Sequence, residues 1–314
     1  GGYVLNATID MFAYCHLEPL PGERVEFSDL DRGTHFAAAS ATAFPLQDDF
    51  VLHKAVYNRI VRQFNAGRPL SVRVSTNSDA PVGSGLGASS TLVVAMIQAW
   101  VEWLKLPLGE YDVAQLAFQI EREDASLLGG RQDQYAAAFG GFNFMEFYAD
   151  NRAIVNPLRI KDSNLNELEQ SVVLYYTGIS RAGADVIREQ QQRVTDLDAD
   201  AIAATQELKN DAVLMKEALL KGNIRDVARV LGRSWEAKKK IASGMTNSAI
   251  DEAYAAALKA GAYSGRISGA GRGGFIIFMT DPIRRLDVVR ALRNCNGQIY
   301  PFHFSAHGAQ AWTV

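Results

Sequence analysis

The feature that most constrains this chain is a glycine-rich stretch, DAPVGSGLGASST, at residues 79–91. Gly83, Gly85 and Gly87 alternate with small residues, and an apolar run, LVVAMIQAWVEWL, follows directly. Glycine loses more backbone entropy on folding than other residues, so this cluster indicates left-handed backbone or a close approach of another group. A strand, a glycine loop and a helix in this order predict a phosphate site, because backbone N–H groups and the helix dipole attract anions.

The length and composition bound the kinds of protein that this chain can be. The 314 residues, 48% hydrophobic and 21% charged, suffice for two ordinary domains with cores of their own. The net charge of −3 gives no basic field for nucleic acid, and no apolar run approaches the roughly 20 residues of a membrane span, so neither partner is expected. Cys15 and Cys295 are far apart, which predicts reduced, buried thiols and a cytoplasmic protein.

The hydrophobic pattern predicts an α+β fold with two domains, residues 1–170 and 171–314. The boundary is placed in the polar segment 160–171. Strands are expected at 3–17, 23–28, 71–76, 141–147, 172–177, 275–280 and 298–304. Helices are expected at 52–64, 88–104, 112–123 with Asp112 as its cap, 248–260 ending at Gly261, and 283–293, with mostly helix between 184 and 260.

Two known phosphate-binding loops compete for the glycine stretch. The run from Gly83 to Ala88 formally satisfies GxGxxG/A, which leaves an NAD(P)-dependent oxidoreductase as an alternative. Three observations disfavour it: Glu102 falls inside the helix, the preceding strand alternates instead of being apolar throughout, and a second match at 269–274 precedes a strand. A Walker A loop also fails, since no Lys-Ser or Lys-Thr pair follows the glycines. A different kinase phosphate loop is therefore favoured.

Three segments together resemble the GHMP kinases (galactose, homoserine, mevalonate and phosphomevalonate kinases). PVGSGLGASST resembles their second signature, RISGAGRGGFIIF at 266–278 resembles the third, and GGRQDQYAAAFGGFNF at 129–144 resembles the segment with the catalytic aspartate. The segments occur in the family's order, and the resemblance extends over essentially the whole chain. It implies an N-terminal domain like ribosomal protein S5 domain 2 and a ferredoxin-like C-terminal domain. The family's first signature lies upstream of the segment matching Gly1, so further residues are expected there.

Within the family, the chain is similar to the sugar 1-kinases that act on D-glycero-D-manno-heptose 7-phosphate, through TGISR at 177–181 and HGAQAW at 307–312. The resemblance implies ATP and Mg²⁺ as cofactors, a small-molecule sugar phosphate as substrate, and a role in nucleotide-activated heptose and surface polysaccharide synthesis. A dimer is compatible with it. Another GHMP acceptor, such as fucose or galactose, and a non-catalytic sugar-sensing relative stay open as alternatives.

The resemblance also assigns residues to the nucleotide and the metal. The expected nucleotide-binding residues are Pro81, Gly83, Ser84, Gly85, Leu86, Gly87, Ala88, Ser89, Ser90, Gly269 and Gly271. Ala88 departs from the family pattern, which has a serine there. Ser89 and Glu121 are the expected Mg²⁺ ligands, since Mg²⁺ prefers oxygen. Glu123 competes with Glu121, and because two residues apart on a helix point to different faces, only one can serve.

Asp133 is the expected catalytic residue. An alcohol is a poor nucleophile at neutral pH, so a group that accepts or orients its proton is required. The alternative for Asp133 is a helix cap before QYAAAF. The expected substrate-binding residues are Arg131, Asp133, Ser180, Arg181, Ser268, Gly269 and Arg272.

Two basic positions carry weaker expectations. Arg272 stands where the family pattern has glycine, which predicts a negative φ, with the side chain pointing to solvent or reaching a phosphate. The lysines at 238–240 are expected to lie on a solvated helix face.

Overall fold

The computed structural model of the chain describes residues 1–47, 49–178, 183–196, 198–242, 244–269 and 271–314. The strands are β1 Gly2–Ala7, β2 Ala13–Pro19, β3 Arg24–Asp29, β4 Thr34–Ala39, β5 Val72–Ser78, β6 Phe142–Phe147, β7 Ala153–Pro157, β8 Val172–Tyr176, β9 Ala262–Ile267, β10 Phe275–Thr280 and β11 Gln298–Tyr300. The helices are α1 Val51–Phe64, α2 Ala88–Leu104, α3 Glu110–Gln119, α4 Gln132–Phe139, α5 Asp162–Ser171, α6 Gly183–Thr195, α7 Ala199–Lys221, α8 Ile224–Ile241, α9 Ser248–Ala260 and α10 Arg285–Leu292.

The chain divides into two compact units that interleave in sequence. The first unit consists of residues 1–10, 82–86 and 141–304, and the second of residues 11–81, 87–140 and 305–314. The polar segment expected to join the domains is helix α5, which leads directly into β8. The division into domains 1–170 and 171–314 stays a prediction, and the compact units do not follow it.

The second unit is built on a four-stranded sheet in the order β2-β5-β3-β4. β5 pairs antiparallel with β2 and parallel with β3. Val72, Val74 and Thr76 of β5 are buried while the residues between them are less so, which is the predicted alternation of a half-covered strand. Helix α2 packs on β2 and β5, and α3 and α4 pack on α2. These contacts fix the start of α2, where the glycine loop ends.

The first unit contains two antiparallel sheets, ordered β1-β6-β7 and β11-β8-β10-β9. Helix α7 packs on α8 and β1, and α8 packs on β9. The core includes the buried side chains of Trp235, Ile250, Ile267, Ile276 and Phe278. This mixture of helices on antiparallel sheets confirms the predicted α+β class.

Several local predictions were wrong or incomplete. Strands β4, β7 and β9 were not predicted, and residues 8–12 interrupt the long first strand. Asp112 does not cap α3 as the N-cap residue: the helix begins at Glu110, and Asp112 Oδ2 accepts the Gly109 N–H at 3.0 Å. An acid at the third helical position can accept the N-cap N–H, so the sequence alone does not separate the two roles. The predicted end of α9 at Gly261, whose φ is +112°, is confirmed.

The thiols of Cys15 and Cys295 are free and partly buried. Burial raises the pKa of Cys15 to about 12, which makes that thiol unreactive. Among the helices of the described residues, none has the length and apolar character needed to cross a membrane.

Candidate active site

The first glycine loop has the backbone that its sequence predicted. Gly83, Gly85 and Gly87 adopt φ angles of +71°, +76° and +77°, the left-handed region that side chains disfavour. Gly87 is the N-cap of α2, and its carbonyl accepts hydrogen bonds from the N–H and the hydroxyl of Thr91 at 2.9 and 3.0 Å. The hydroxyls of Ser89 and Ser90 therefore do not cap α2. The loop places backbone without side chains at the positive end of the α2 dipole.

Asp133 lies directly against this helix start. A Cβ on Gly87 would come within 2.9 Å of the Asp133 Cγ, so only glycine leaves room for the carboxyl group. The cap of α4 is Arg131 rather than Asp133, which removes the capping alternative. Gln132 donates to Asp133 Oδ1 at 3.2 Å. Burial raises the pKa of Asp133, and the Gln132 hydrogen bond and the Arg122 charge oppose that shift.

A buried polar cluster joins the first turn of α2 to the segment after α3. Glu121 lies in the π-helical turn Ile120–Asp124 and is only 1% exposed. Gln134 donates through Nε2 to Glu121 Oε2 and to Ser90 Oγ, the latter at 3.1 Å. Ser89 and Glu123 are exposed. The structure thus brings Glu121 together with Ser90, and not with the expected partner Ser89.

The oxygen atoms of this cluster fit Mg²⁺. That ion usually takes one or two ligands from the protein and the remainder from water and phosphate. Glu121 and Ser90 supply a carboxylate and a hydroxyl, and Gln134 Oε1 is a buried oxygen without a hydrogen-bond partner among the described residues. No group of three or more His, Cys, Asp or Glu within the described ranges could hold a metal ion.

Arg122 holds the loop that leads to Asp133. Its Nη1 donates to the carbonyls of Leu127 and Leu128 at 3.4 and 3.2 Å, and its Nε and Nη2 donate to the Gly130 carbonyl at 3.3 Å. A Cβ on Gly129 would lie 2.3 Å from Arg122 Nη2, so this glycine is needed for the guanidinium to fit. Arg131 lies over the ring of Phe118 at 4.5 Å.

The second glycine loop, residues 268–274, packs on the first within the first unit. Ser268 Oγ donates to the Gly85 carbonyl at 3.0 Å, and the Phe275 N–H donates to the Ser84 carbonyl at 3.0 Å. Cβ atoms on Gly269 and Gly274 would lie 2.7 Å from Gly85 Cα and 2.2 Å from the Ser84 oxygen. These two glycines therefore serve the contact between the loops.

The remaining nucleotide-binding candidates lie in or beside these loops. The hydroxyl of Ser84 is buried and has no hydrogen-bond partner among the described residues. Pro81, Leu86 and Ala88 are partly buried, and a Cβ on Gly271 would meet Met245 Cε at 2.6 Å. Gly83 is exposed. Their roles toward a nucleotide stay predictions.

The expected negative φ of Arg272 was wrong, whereas its role toward a phosphate stays a prediction. Its φ is +65°, which costs roughly 1 kcal/mol for a residue with a Cβ. Its N–H donates to the Met245 carbonyl at 3.2 Å, and its Nη2 pairs with Glu189 of α6 at 2.9 Å. These two bonds offset the strain, and they direct the side chain to Glu189 rather than to solvent. Ser180 and Arg181, the other expected substrate contacts, lie outside the described residues.

The expectation of a solvated lysine face was wrong at its first position. Lys238 is 7% exposed, and its Nζ donates to the Gly269 carbonyl. Lys239 and Lys240 are exposed, and Lys239 pairs with Glu236. The lysine run therefore has one buried member and two that face solvent.

Comparison with known proteins gives the family. The sequence model of the GHMP kinases N terminal domain matches residues 51–141, and that of the GHMP kinases C terminal matches residues 215–298. A D-glycero-alpha-D-manno-heptose 7-phosphate kinase of Campylobacter jejuni is 44% identical over 313 residues, covering 100% of this chain and 91% of that protein. The chain belongs to the GHMP kinase family.

Solved structures agree with this assignment. A crystal structure of a D-glycero-D-manno-heptose 1-phosphate kinase from Bacteroides thetaiotaomicron matches with a TM-score of 0.84 at 43% identity, covering 100% of this chain and 91% of that chain. A galactokinase from Lactococcus lactis, at 18% identity and a TM-score of 0.75 over 98% of this chain and 89% of that one, shares the fold. The predicted two-domain GHMP kinase fold is confirmed.

As a GHMP kinase, the chain is a phosphotransferase that uses ATP to phosphorylate an alcohol group. This confirms the predicted enzyme class and rejects the dinucleotide interpretation of the first glycine loop. Sequence reasoning missed Gln134, Arg122 and Lys238. The only signal for the first two was their place beside Glu121 and Asp133, and no local pattern distinguished Lys238 from its neighbours.

Proposed function

We propose that this GHMP kinase transfers the γ-phosphoryl group of ATP to the anomeric hydroxyl of D-glycero-D-manno-heptose 7-phosphate and forms the 1,7-bisphosphate. The 44% identity to a heptose 7-phosphate kinase over the full chain supports the acceptor. The observation that carries the chemistry is the Asp133 carboxyl group seated against Gly87, where the first glycine loop becomes α2. A proton acceptor at the end of a phosphate cradle is the arrangement that an attacking hydroxyl needs.

In this proposal, Asp133 orients the acceptor hydroxyl and accepts its proton. The carboxyl group must be ionised for that role, and burial works against ionisation. The Arg122 charge and the Gln132 hydrogen bond favour the carboxylate. Because Arg122 also holds the preceding loop, one side chain both places Asp133 and supports its charge.

The first glycine loop and the start of α2 would bind the nucleotide phosphates. Backbone N–H groups at the N-terminus of a long helix stabilise negative charge without a lysine. Glu121, together with a hydroxyl of Ser89 or Ser90, would hold Mg²⁺, which would neutralise charge on the transferred phosphoryl group. Gln134 orients the Glu121 carboxylate and the Ser90 hydroxyl, because its Nε2 donates to both.

The acceptor's own phosphate is proposed to bind basic groups near Asp133. Arg131 caps α4 next to Asp133, and its guanidinium is held over Phe118. A planar guanidinium can donate two parallel hydrogen bonds to phosphate. Further proposed contacts to the acceptor are Ser180, Arg181, Ser268 and Gly269. Arg272 is also proposed as a contact, provided that it binds the acceptor while still paired with Glu189. The polysaccharide role, the cytoplasmic location and a dimer stay predictions.

A substrate panel tests the acceptor. We would measure ADP release with ATP and Mg²⁺ for heptose 7-phosphate, unphosphorylated heptose, galactose and fucose, and locate the new phosphate by ³¹P NMR. The proposal expects kcat/KM for heptose 7-phosphate to exceed that of each unphosphorylated sugar by at least ~100-fold, since losing a bidentate charged contact costs about 3 kcal/mol. Equal or better turnover of a plain hexose would overturn it.

A further inference from the structure

Lys238 is a buried lysine that the proposed chemistry does not use. It lies on α8, and its Nζ donates to the carbonyl of Gly269 in the second glycine loop. The lysine run continues with Lys239 and Lys240, which face solvent or pair with Glu236. Placing one ammonium inside the protein requires that it lose its hydration, which is unfavourable unless other bonds replace it.

The surroundings of Lys238 carry more positive than negative charge. Arg266 of β9 lies near it and donates to Ser234 Oγ at 2.7 Å. Asp211 of α7 acts on Arg266 but is ion-paired with Arg233. Within the part of the chain that the structure describes, neither Lys238 nor Arg266 forms an ion pair with a carboxylate. Burial and the Arg266 charge both lower the pKa of Lys238.

An ammonium in these surroundings is poorly suited to stabilising a core. A well-packed apolar side chain of similar size is often as stabilising as a buried charge, or more so. The bond that Lys238 does make is to the loop backbone at Gly269. Bonds at Ser268, Arg272 and Phe275 hold other points of this loop, and Lys238 holds the Gly269 carbonyl, where the loop lies against Gly85.

The residue that Lys238 binds, Gly269, contacts the first glycine loop. Gly269 lies against Gly85, where a Cβ would come within 2.7 Å of the Gly85 Cα. The neighbouring Ser268 donates to the Gly85 carbonyl, and Phe275 donates to the Ser84 carbonyl. Because Lys238 holds the Gly269 carbonyl, it also restrains the segment that contacts Ser84 and Gly85 of the first glycine loop.

We propose that Lys238 is a positioning residue for phosphoryl transfer: its side-chain nitrogen holds the Gly269 carbonyl and so keeps the two glycine loops in the conformation that receives the nucleotide phosphates. The inference rests on the proposed kinase reaction for its turnover readout, but not on the identity of the acceptor. Positioning of a phosphate cradle affects ATP more than the sugar, which separates this role from general support of the fold.

The test compares Lys238→Met with the matched control Lys240→Met, two positions on the same helix. We would measure KM for ATP and for the acceptor, Tm, and amide hydrogen exchange at Ser268 and Phe275. Lys238→Met should raise KM for ATP at least 10-fold and speed exchange at both amides at least 10-fold. KM for the acceptor should rise by a clearly smaller factor than KM for ATP, and Tm should stay within a few degrees. Lys240→Met should leave all four unchanged.

Two results would overturn the proposal: an unchanged KM for ATP with unchanged exchange, or a fall in Tm with both KM values rising together. If Lys238→Met does not fold, Lys238→Gln takes its place. Its amide is one bond shorter, so the same changes are expected at 3-fold or more. If no acceptor is turned over, the affinity for a non-hydrolysable ATP analogue, measured by calorimetry, replaces KM, so a failed acceptor assignment does not obscure the result.

Discussion

The two units bury charges of opposite sign beside their glycine-rich segments. In the second unit, the carboxyl groups of Glu121 and Asp133 lie at the start of α2, with short side chains and few partners. In the first unit, Lys238 donates to the Gly269 carbonyl of the second glycine loop, and the cation Arg266 lies near Lys238 and donates to Ser234. Arg122, in the second unit, resembles Lys238 of the first, since both donate to carbonyls of a loop. The comparison leads to a testable contrast: the acids are proposed to take part in the reaction, whereas Lys238 and Arg122 bind loop backbone.

The strongest way to break this comparison is Asp133→Asn. If Asp133 handles the acceptor proton, kcat should fall by roughly 10³-fold, in the range of general acid–base catalysis, while affinity for ATP is retained. Turnover and nucleotide titration measure the two effects. An unchanged kcat would place the reactive acid elsewhere.

The same variant carries a stability prediction. The pKa of Asp133 is raised in the folded protein, so the folded state binds this proton more tightly, and ionisation at neutral pH opposes folding. Removing the charge should leave Tm unchanged or higher. A large drop in Tm would instead indicate that the carboxylate stabilises the fold.

Glu121→Gln tests the metal assignment, with Glu123→Gln as its matched control. Replacing a carboxylate ligand should weaken activation by Mg²⁺ by at least ~10-fold, since losing even a group that only orients a metal ligand costs about 10- to 100-fold. Glu123 is exposed, so its variant should stay within 2-fold. Initial rates over a Mg²⁺ titration give both values. A larger effect at Glu123 would reverse the assignment.

A smaller effect is expected on the pH dependence of the free energy of unfolding, to which one histidine in each unit contributes with opposite sign. Burial lowers the pKa of His53 in the second unit to about 4, and its Nε2 lies 2.9 Å from Thr76 Oγ1. In the unfolded chain a histidine titrates near 6.5, so protons favour unfolding as the pH falls below that value. The free energy of unfolding should drop by ~2 kcal/mol between pH 6.5 and 5.0 through this group.

Urea unfolding of the wild type and His53→Gln at both pH values measures that drop, which the variant should reduce by more than half. His303 in the first unit serves as the control, because its pKa is shifted in the opposite direction to that of His53. The hydrogen bond and charge of Glu169 raise its pKa, so its contribution is present below pH 6.5 and is lost as the pH rises through its folded pKa. A pH response that survives in His53→Gln would show that other groups dominate.

The sequence was sufficient where a pattern has one physical solution. Glycines before an apolar helix predicted the left-handed loop, and helix periodicity predicted that Glu121 and Glu123 would face differently. The sequence was insufficient where the same residues are compatible with two different arrangements. Ser89 and Ser90 both lie in the first turn of α2, and only the packing of α4 shows that Ser90 is the buried one.

The lysine run and Arg272 show the same limit. Three consecutive lysines cover most of a helix circumference, so the buried one depends on where β9 and the second loop pack. The sign of φ at Arg272 depends on bonds to Met245 and Glu189, which are distant in sequence. Long-range contacts of this kind leave no local trace.

The close contact between the two glycine loops also limits which related genes can recombine to give a working protein. Gly274 leaves no room for a Cβ beside the Ser84 oxygen, and Ser268 is bonded to Gly85, although some 180 residues separate the partners. A gene recombined between relatives anywhere between these loops would join halves that had not been selected together. Such a chimera should retain nucleotide binding only when both parents carry compatible loops, so the pair behaves as one heritable unit.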